Sequence, residues 1–262
     1  MVKKERHFVL VHGACHGAWC WYKVAARLKS IGHKVTAIDM AGSGIHPKQV
    51  HEILSMSDYL EPLMEFMASL PSEERVILVG HSRGGLCISA AMERFPDKVS
   101  VGVFATAFMF GPNLTSETVI QQFNGGLDSE GYMDTQYGFH NGLDKPTSSF
   151  LFGPNLLASK LYQLSPPEDL TLALSLIRHV GVFKDEESNK AMGVTKEKYG
   201  SVGRVYIVCN EDKILTEEFQ RWMIANNPPD EVKLIPDSDH MPMFSKPYEL
   251  CSCLEEIAEK YH

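Results

Sequence analysis

The chain has 262 residues, of which 44% are hydrophobic and 22% charged, a composition typical of globular proteins that excludes a disordered or fibrous chain. Its 25 Lys and Arg against 33 Asp and Glu give a formal net charge of -8, which argues against binding to nucleic acid or to anionic membranes. The six cysteines form no C-x-x-C pair and lie mostly in apolar runs, so we expect free thiols.

The N-terminal stretch does not resemble a targeting segment. Residues 1–7 read MVKKERH, and the apolar run that follows them is shorter than the hydrophobic segment of a signal peptide. No run in the chain approaches the roughly 18 apolar residues that a membrane-spanning helix needs. We therefore expect a cytoplasmic protein with no membrane partner.

Short apolar runs rich in β-branched residues recur along the chain, at residues 8–11, 35–38, 76–79, 99–104, 205–208 and 232–235. Strands that are apolar on both faces are typical of a parallel sheet covered by helices on both sides. Between the second and third runs, apolar residues at helical spacing predict a helix that ends before Pro71. These patterns predict an α/β fold with a mostly parallel sheet of about six strands wrapped by helices.

The alternation of strand and helix patterns stops after Phe104 and resumes only at Arg204. The intervening segment is rich in Phe, Met, Leu, Tyr, Gly and Pro, and a structureless loop of that length is not expected inside a compact domain. We predict a single domain over 1–262, with a core formed by 1–107 and 187–262 and a mainly helical cap insertion at about 108–186. The apolar residues of the cap either pack within it or line an apolar pocket.

The sharpest motif is GHSRG at residues 80–84, between a predicted strand and a predicted helix. A G-x-S-x-G sequence in that setting is typical of a nucleophile held on a sharp strand-to-helix turn, where glycines leave the space that side chains would fill. The helix N-terminus adds positive potential for an oxyanion. We therefore predict that Ser82 is a nucleophile.

A serine hydroxyl needs a base, and the base needs a third group that orients it. Asp212 and His240 follow later predicted strands, whose carboxyl ends meet at the same edge of the sheet as Ser82. We interpret His81 as a packing residue, because its ring should point away from the neighbouring hydroxyl. Three other carboxylates remain alternatives to Asp212 as the orienting acid: Glu211, Asp237 and Asp239.

The first strand ends in a histidine-glycine loop, HGACHG at residues 12–17. In a loop of this kind a backbone N–H pairs with the N–H that follows the nucleophile, and together they bind an oxyanion. The predicted donors are the amides of Ala14 and Arg83. The spacing of the loop's histidines and cysteines matches no common zinc pattern, so we expect no metal and no cofactor.

Several motifs together resemble the plant methylesterase and hydroxynitrile lyase family of α/β-hydrolases: HGACHGAW at 12–19, GHKVTA at 32–37, GHSRGG at 80–85, EDK at 211–213, EFQRW at 218–222 and DHM at 239–241. The likeness runs through nearly the whole chain, including the cap segments 152–154 and 160–163. Within the family, the pattern is most similar to polyneuridine aldehyde esterase and its relatives in indole-alkaloid pathways, with salicylate methylesterases next. The resemblance implies the α/β-hydrolase fold and a triad of Ser82, Asp212 and His240.

The same resemblance implies a serine carboxylesterase that acts on a small methyl ester with an apolar acyl part. An indole-alkaloid ester is the first expectation, with an acid product that can lose carbon dioxide unaided if it carries a β-carbonyl. The alternatives are methyl salicylate, methyl jasmonate and methyl indole-acetate, or a hydrolase-fold receptor with slow turnover. The lyases carry a threonine in place of Gly13 and a lysine in place of Met241, so lyase activity is disfavoured.

Four residues are expected to line the substrate pocket: Gly13, His16, Phe108 and Met241. Arg83 stands where the family usually has an apolar or small residue. Its side chain is expected either to reach solvent or pair with an acid, or to enter the pocket and attract a carbonyl-bearing or anionic substrate. The expected partner is the small-molecule ester, and the sequence leaves open whether the chain forms a homodimer.

Overall fold

The computed structural model describes residues 5–126, 131–140, 142, 144–183 and 186–261. The first four residues, whose charge entered the argument against a targeting segment, lie outside these ranges. The strands are β1 (His7–Val11), β2 (Lys34–Ile38), β3 (Val76–Ser82), β4 (Val99–Ala107), β5 (Gln136–Gly138), β6 (Ser149–Leu151), β7 (Val180–Gly181), β8 (Gly203–Cys209) and β9 (Glu231–Ile235).

The α-helices are α1 (Tyr22–Ser30), α2 (Met56–Ser69), α3 (Gly84–Arg94), α4 (Ser116–Gly125), α5 (Pro154–Leu156), α6 (Pro167–Leu176), α7 (Glu186–Ala191), α8 (Glu217–Asn226), α9 (Pro242–Ser245) and α10 (Pro247–Lys260). A π-helical turn, Leu157–Leu161, continues α5. Short 3₁₀ turns occupy Ala18–Trp21, Val50–Glu52, Pro96–Lys98 and Tyr199–Ser201. Within the described ranges, no helix has the length and apolar character that crossing a bilayer requires.

Six strands form one sheet in the order β2-β1-β3-β4-β8-β9, and every neighbouring pair is parallel. Each of the six apolar runs predicted from the sequence lies within one of these strands. The prediction of an α/β fold with a mostly parallel six-stranded sheet is therefore confirmed.

Both faces of the sheet are buried at its four inner strands, β1, β3, β4 and β8, which explains why these strands are apolar at nearly every position. In β1, Val9 and Val11 belong to the core on the face covered by α2 and α3, whereas Phe8 and Leu10 belong to the core on the opposite face. Helices α1 and α10 cover that second face through residues such as Leu28. The period-2 alternation of a strand thus places apolar side chains in two separate cores.

Helix α2 begins with a local hydrogen-bond pattern that its sequence encodes. Ser55 Oγ accepts a hydrogen bond from the Asp58 amide at 3.0 Å, and the Asp58 carboxylate accepts one from the Ser55 amide at 3.1 Å. This capping box satisfies N–H groups that have no partner within the first turn. It fixes the start of the helix that carries the buried ring of Tyr59.

The segment between β4 and β8 contains helices, as the cap prediction expected, and also a small sheet that the sequence did not reveal. Strands β5, β6 and β7 pair antiparallel in that order. Segment 162–165 and Arg178 contact loops at the carboxyl ends of the main strands. Residues 184–185 lie outside the described ranges, and α7 spans the expected cap boundary at 186/187.

The order of the strands creates a point where a site can form. From β1 the chain adds β2 on one side, and β3 then lies on the other side of β1. The loops that leave the carboxyl ends of β1 and β3 therefore diverge and leave a crevice between them, where open α/β sheets bind ligands. The histidine-glycine loop and Ser82 follow these two strands.

Candidate active site

Ser82 is the last residue of β3, and its backbone has a φ of 52°, in the left-handed region that residues with a side chain rarely adopt. Helix α3 starts two residues later. The turn depends on close backbone contacts, because a Cβ at Gly80 would lie 2.7 Å from the carbonyl oxygen of Gly84. A Cβ at Gly84 would lie 2.5 Å from the carbonyl oxygen of Val11. Glycine at both positions permits the sharp strand-to-helix turn.

Asp212 and His240 lie in direct contact. The Nδ1 atom of His240 is 2.6 Å from Oδ2 of Asp212, and both side chains are buried. The other carboxylate oxygen, Oδ1, accepts hydrogen bonds from the amides of Ile214 and Leu215 at 2.7 and 2.9 Å. Because a carboxylate can only accept, the ring proton lies on Nδ1, and Nε2 is left as an acceptor.

A fourth donor to Asp212 was not predicted from the sequence. The hydroxyl of Thr106, at the end of β4, donates to Oδ2 of Asp212 at 2.5 Å. Thr106 is fully buried and has a φ of 37°. Four donors thus hold the carboxylate in one orientation, which in turn fixes the plane of the His240 ring.

The ring of His81 contacts the loop that carries His240. Its Nε2 lies 2.7 Å from the carbonyl oxygen of His240, so this nitrogen carries the proton and donates. Burial lowers the pKa of His81 well below its ordinary value, and the ring is therefore neutral. The two imidazole centroids are 4.8 Å apart. The residue that precedes the nucleophile thus anchors the backbone of His240.

The three alternative acids are either bonded to other groups or exposed. Asp239 is fully buried, but its oxygens accept hydrogen bonds from the amides of Leu164 and Met241 and from the hydroxyl of Ser165. Glu211 and Asp237 have exposed side chains. Of the four candidate carboxylates, Asp212 is the one hydrogen-bonded to the ring of His240.

The histidine-glycine loop is held rigidly against the nucleophile. A Cβ at Gly13 would lie 2.9 Å from both Ser82 Cβ and His81 Nδ1, so only glycine leaves room for this approach. His12 Nδ1 lies 2.8 Å from the carbonyl oxygen of Gly13, and His12 Nε2 accepts from the Met40 amide at 3.1 Å. Burial lowers the pKa of His12, which agrees with a neutral ring that donates once and accepts once.

The amides of Ala14 and Arg83 were predicted to form the oxyanion hole. Ala14 is buried in the loop, and Arg83 is the residue between Ser82 and α3. Within the part of the chain that the structure describes, neither amide N–H donates to a protein acceptor. Both donors are therefore free to bind a ligand atom.

His81, the residue before Ser82, holds the backbone of His240, but it does not join the hydroxyl of the nucleophile to the ring of the base. Among the described residues, the Ser82 hydroxyl donates no hydrogen bond to the His240 ring. Contacts of this kind are often long in ligand-free enzymes and shorten when substrate binds. Ser82 retains 7% exposure and His240 retains 2%, so the site is almost closed to solvent.

The side chain of Arg83 is neither free in solvent nor paired with an acid among the described residues. Its guanidinium carbon lies 5.0 Å from the ring centroid of Tyr59 and 5.8 Å from that of Phe183, and its Nε is buried without a hydrogen-bond partner. The positive charge partly offsets the burial that raises the pKa of Cys15 to about 12. The expectation that this side chain reaches solvent or pairs with an acid is thus replaced by cation–π contacts that connect α2 to the cap.

The four predicted pocket residues occupy different environments. Gly13 contacts the nucleophile, and His16 is buried with both ring nitrogens in hydrogen bonds. Phe108 is partly buried, with its ring 5.2 Å from that of Phe123. Met241 is fully buried in the core that also contains α1 and α10.

Comparisons with known proteins agree with this fold. A family model described as "Alpha/beta hydrolase family" matches residues 8–252. Methyl jasmonate esterase 1 of Vitis vinifera is 59% identical over 261 residues, which cover 100% of each chain. The crystal structure of tomato methylketone synthase I complexed with 2-tridecanone has a TM-score of 0.94, with 49% identity over 99% of this chain and 100% of the other. That of polyneuridine aldehyde esterase has a TM-score of 0.90, with 42% identity over 97% and 100%.

Proposed function

The chain belongs to the alpha/beta hydrolase family and is a carboxylic ester hydrolase of the plant methylesterase type, and from this premise we propose that it cleaves a small methyl ester with an apolar acyl part. The observation that carries the proposed mechanism is the 2.6 Å hydrogen bond between Asp212 and His240, beside a serine at a strained turn. Ser82 is the nucleophile, His240 the base and Asp212 the group that orients it.

The reaction proceeds in two halves. The Ser82 hydroxyl attacks the ester carbonyl while Nε2 of His240 takes its proton, and Asp212 stabilises the imidazolium that forms. The negative charge on the carbonyl oxygen is bound by the amides of Ala14 and Arg83. His240 then protonates the departing methoxide, methanol leaves, and water attacks the acyl-enzyme by the same route to release the acid.

Methyl jasmonate is the first substrate to test, because the chain is 59% identical to a methyl jasmonate esterase. The likeness to polyneuridine aldehyde esterase and to methylketone synthase I supports a second candidate, a methyl ester with a carbonyl group β to the ester. Hydrolysis of such an ester gives a β-carbonyl acid, which loses carbon dioxide without further catalysis. The net product would then be a ketone or an aldehyde.

The test is a panel of four esters: methyl jasmonate, methyl salicylate, methyl indole-acetate and an indole-alkaloid ester with a β-aldehyde. Methanol release gives the rate, and the mass of the second product reveals any loss of carbon dioxide. We expect hydrolysis of at least one ester by the wild-type protein and its loss in Ser82→Ala. A Ser82→Ala variant that retains near wild-type activity would refute the mechanism. A single burst with p-nitrophenyl acetate and no steady turnover would favour the receptor alternative.

A further inference from the structure

One short segment of the cap contacts three of the loops that surround the proposed site. Residues 162–165, here called the cap turn, follow the π-helical turn that continues α5. Their hydrogen bonds reach the loop after β1, the loop after β8 and the loop after β9. These loops carry Ala14, Asp212 and His240 and are far apart in the sequence.

The contact with the first loop passes through His16. Burial lowers the pKa of His16 to about 3, so its ring is neutral and has one donor and one acceptor. Nδ1 lies 2.8 Å from the carbonyl oxygen of Ala14, which can only accept, so Nδ1 carries the proton. Nε2 must then accept, and the hydroxyl of Tyr162 lies 2.7 Å from it. Burial raises the pKa of Tyr162, which therefore keeps its proton and donates it.

This chain of hydrogen bonds ends on the carbonyl of Ala14, in the peptide group that joins Ala14 to Cys15. The Tyr162 hydroxyl fixes the His16 ring, and the ring holds the carbonyl of Ala14. The Ala14 N–H lies in the peptide plane on the other side of the Cα atom, and His12 Nδ1 holds that plane through the Gly13 carbonyl oxygen at 2.8 Å. Because the planes on both sides of the Cα atom are held, the Ala14 backbone has little freedom to rotate and the direction of its N–H is fixed. His16 also stacks on the Tyr162 ring, with centroids 5.9 Å apart and planes 15° apart.

The other two contacts flank the acid and the base. The side-chain amide of Gln163 donates to the carbonyl oxygen of Glu211, the residue before Asp212, at 2.6 Å. The Leu164 amide and the Ser165 hydroxyl donate to Oδ2 of Asp239, the residue before His240, at 3.0 and 2.8 Å. Asp239 is fully buried, so these bonds are not weakened by competition with solvent.

From these contacts we propose that the cap turn is a positioning element for ester hydrolysis, and that Tyr162 acts through His16 to hold the backbone of Ala14, so that the Ala14 amide stays directed toward the oxyanion. The inference rests on the proposed function. Tyr162 and His16 touch no reacting atom, so their effect comes through geometry. Because the oxyanion forms only in the transition state, loss of this orientation lowers kcat and leaves KM nearly unchanged.

Tyr162→Phe tests this directly, because it removes one hydroxyl and keeps the ring. Tyr22→Phe is a matched control: the Tyr22 hydroxyl also joins core to cap, donating to Asp169 Oδ1 at 3.0 Å, but this contact reaches none of the three loops. Ser165→Ala is a second test variant, since it removes one bond to Asp239 without altering the core. Steady-state kinetics and thermal unfolding are measured for all three, beside wild type and Ser82→Ala.

We expect Tyr162→Phe to lower kcat about tenfold with KM within about twofold, as small displacements of catalytic groups do. Ser165→Ala should lower kcat about threefold, and Tyr22→Phe should change the melting temperature alone. Equal kcat in Tyr162→Phe and Tyr22→Phe, or a loss confined to KM, would overturn the inference while Ser82-dependent hydrolysis persists. Absence of Ser82-dependent hydrolysis in the wild type is a separate result, which would overturn the proposed function and this inference with it.

Discussion

Acid should destabilise this protein more steeply than its carboxylates alone would cause. Burial lowers the pKa of four of the buried histidines and is the largest cause of the shift in each: His7, His12, His16 and His81. A histidine whose pKa is lowered by folding binds fewer protons in the folded state than in the unfolded state. Its contribution to stability is therefore complete above the unfolded pKa of about 6.5 and is lost as the pH falls below it.

His16 gives a magnitude for this effect. Its pKa of about 3 in the folded protein, against 6.5 when unfolded, leaves it neutral in the fold at pH 5 while the unfolded chain is protonated. One proton of difference corresponds to about 1.4 kcal/mol per pH unit, so His16 alone costs about 2 kcal/mol between pH 7.5 and pH 5. The other three histidines act in the same direction.

Urea unfolding at several pH values between 7.5 and 5 measures the slope directly. Between pH 6 and 5 we expect the free energy of unfolding to fall with a slope that corresponds to one to four more protons on the unfolded chain than on the folded protein. His16→Gln should reduce the slope by about one proton, whereas His51→Gln, at an exposed position, should leave it unchanged. A wild-type slope that corresponds to fewer than one proton, or equal slopes in the two variants, would refute the claim that buried histidines destabilise the fold in acid.

Three further outcomes follow from single contacts. Thr106→Val removes the donor to Asp212 and should lower the free energy of unfolding by about 1–3 kcal/mol in urea and reduce kcat, so an unchanged kcat would deny that this hydroxyl orients the acid. Gly13→Ala places a Cβ 2.9 Å from the Cβ of Ser82 and should reduce kcat at least tenfold, because it displaces the nucleophile by up to about 1 Å. Gly125→Ala is the control, since the space around Gly125 is open. Equal activities of the two variants would contradict the close approach of Gly13 to Ser82. Arg178→Met removes bonds to three carbonyl groups of segment 44–48 and should lower the melting temperature by several degrees, whereas an unchanged value would show that these bonds contribute nothing.

The sequence predicted the core of the fold because the main strands carry their own signal. Burial on both faces demands apolar residues at nearly every position of the four inner strands, and the six predicted runs all lie in the main sheet. The sequence prediction ended β4 at residue 104 and missed its last three residues, because Ala105, Thr106 and Ala107 are small and weakly apolar. The three cap strands have only two or three residues each, too few to show a period, so the sequence predicted a mainly helical cap and none of these strands.

The residues of the site likewise divide into those with a local sequence signal and those without one. Ser82 has a motif of its own, and Asp212 and His240 follow strands, so local sequence was enough to propose them. Thr106 and Tyr162 act on residues 106 and 146 positions away in the chain, and a lone threonine or tyrosine carries no motif. Neither contact could be predicted, because it depends on how β4 and the cap pack against the sheet.

The central claim is that Ser82, His240 and the two backbone amides act on one reacting centre. A crystal structure of the protein treated with a p-nitrophenyl methyl alkylphosphonate would test it most directly, because the serine hydroxyl displaces p-nitrophenolate from phosphorus and the adduct mimics the tetrahedral intermediate. We predict phosphorus bonded to Ser82 Oγ, a phosphonyl oxygen about 2.7–3.1 Å from the amide nitrogens of Ala14 and Arg83, and His240 Nε2 in hydrogen-bond reach of Ser82 Oγ. Phosphorus on another residue, or on Ser82 with that oxygen directed to solvent, would contradict it.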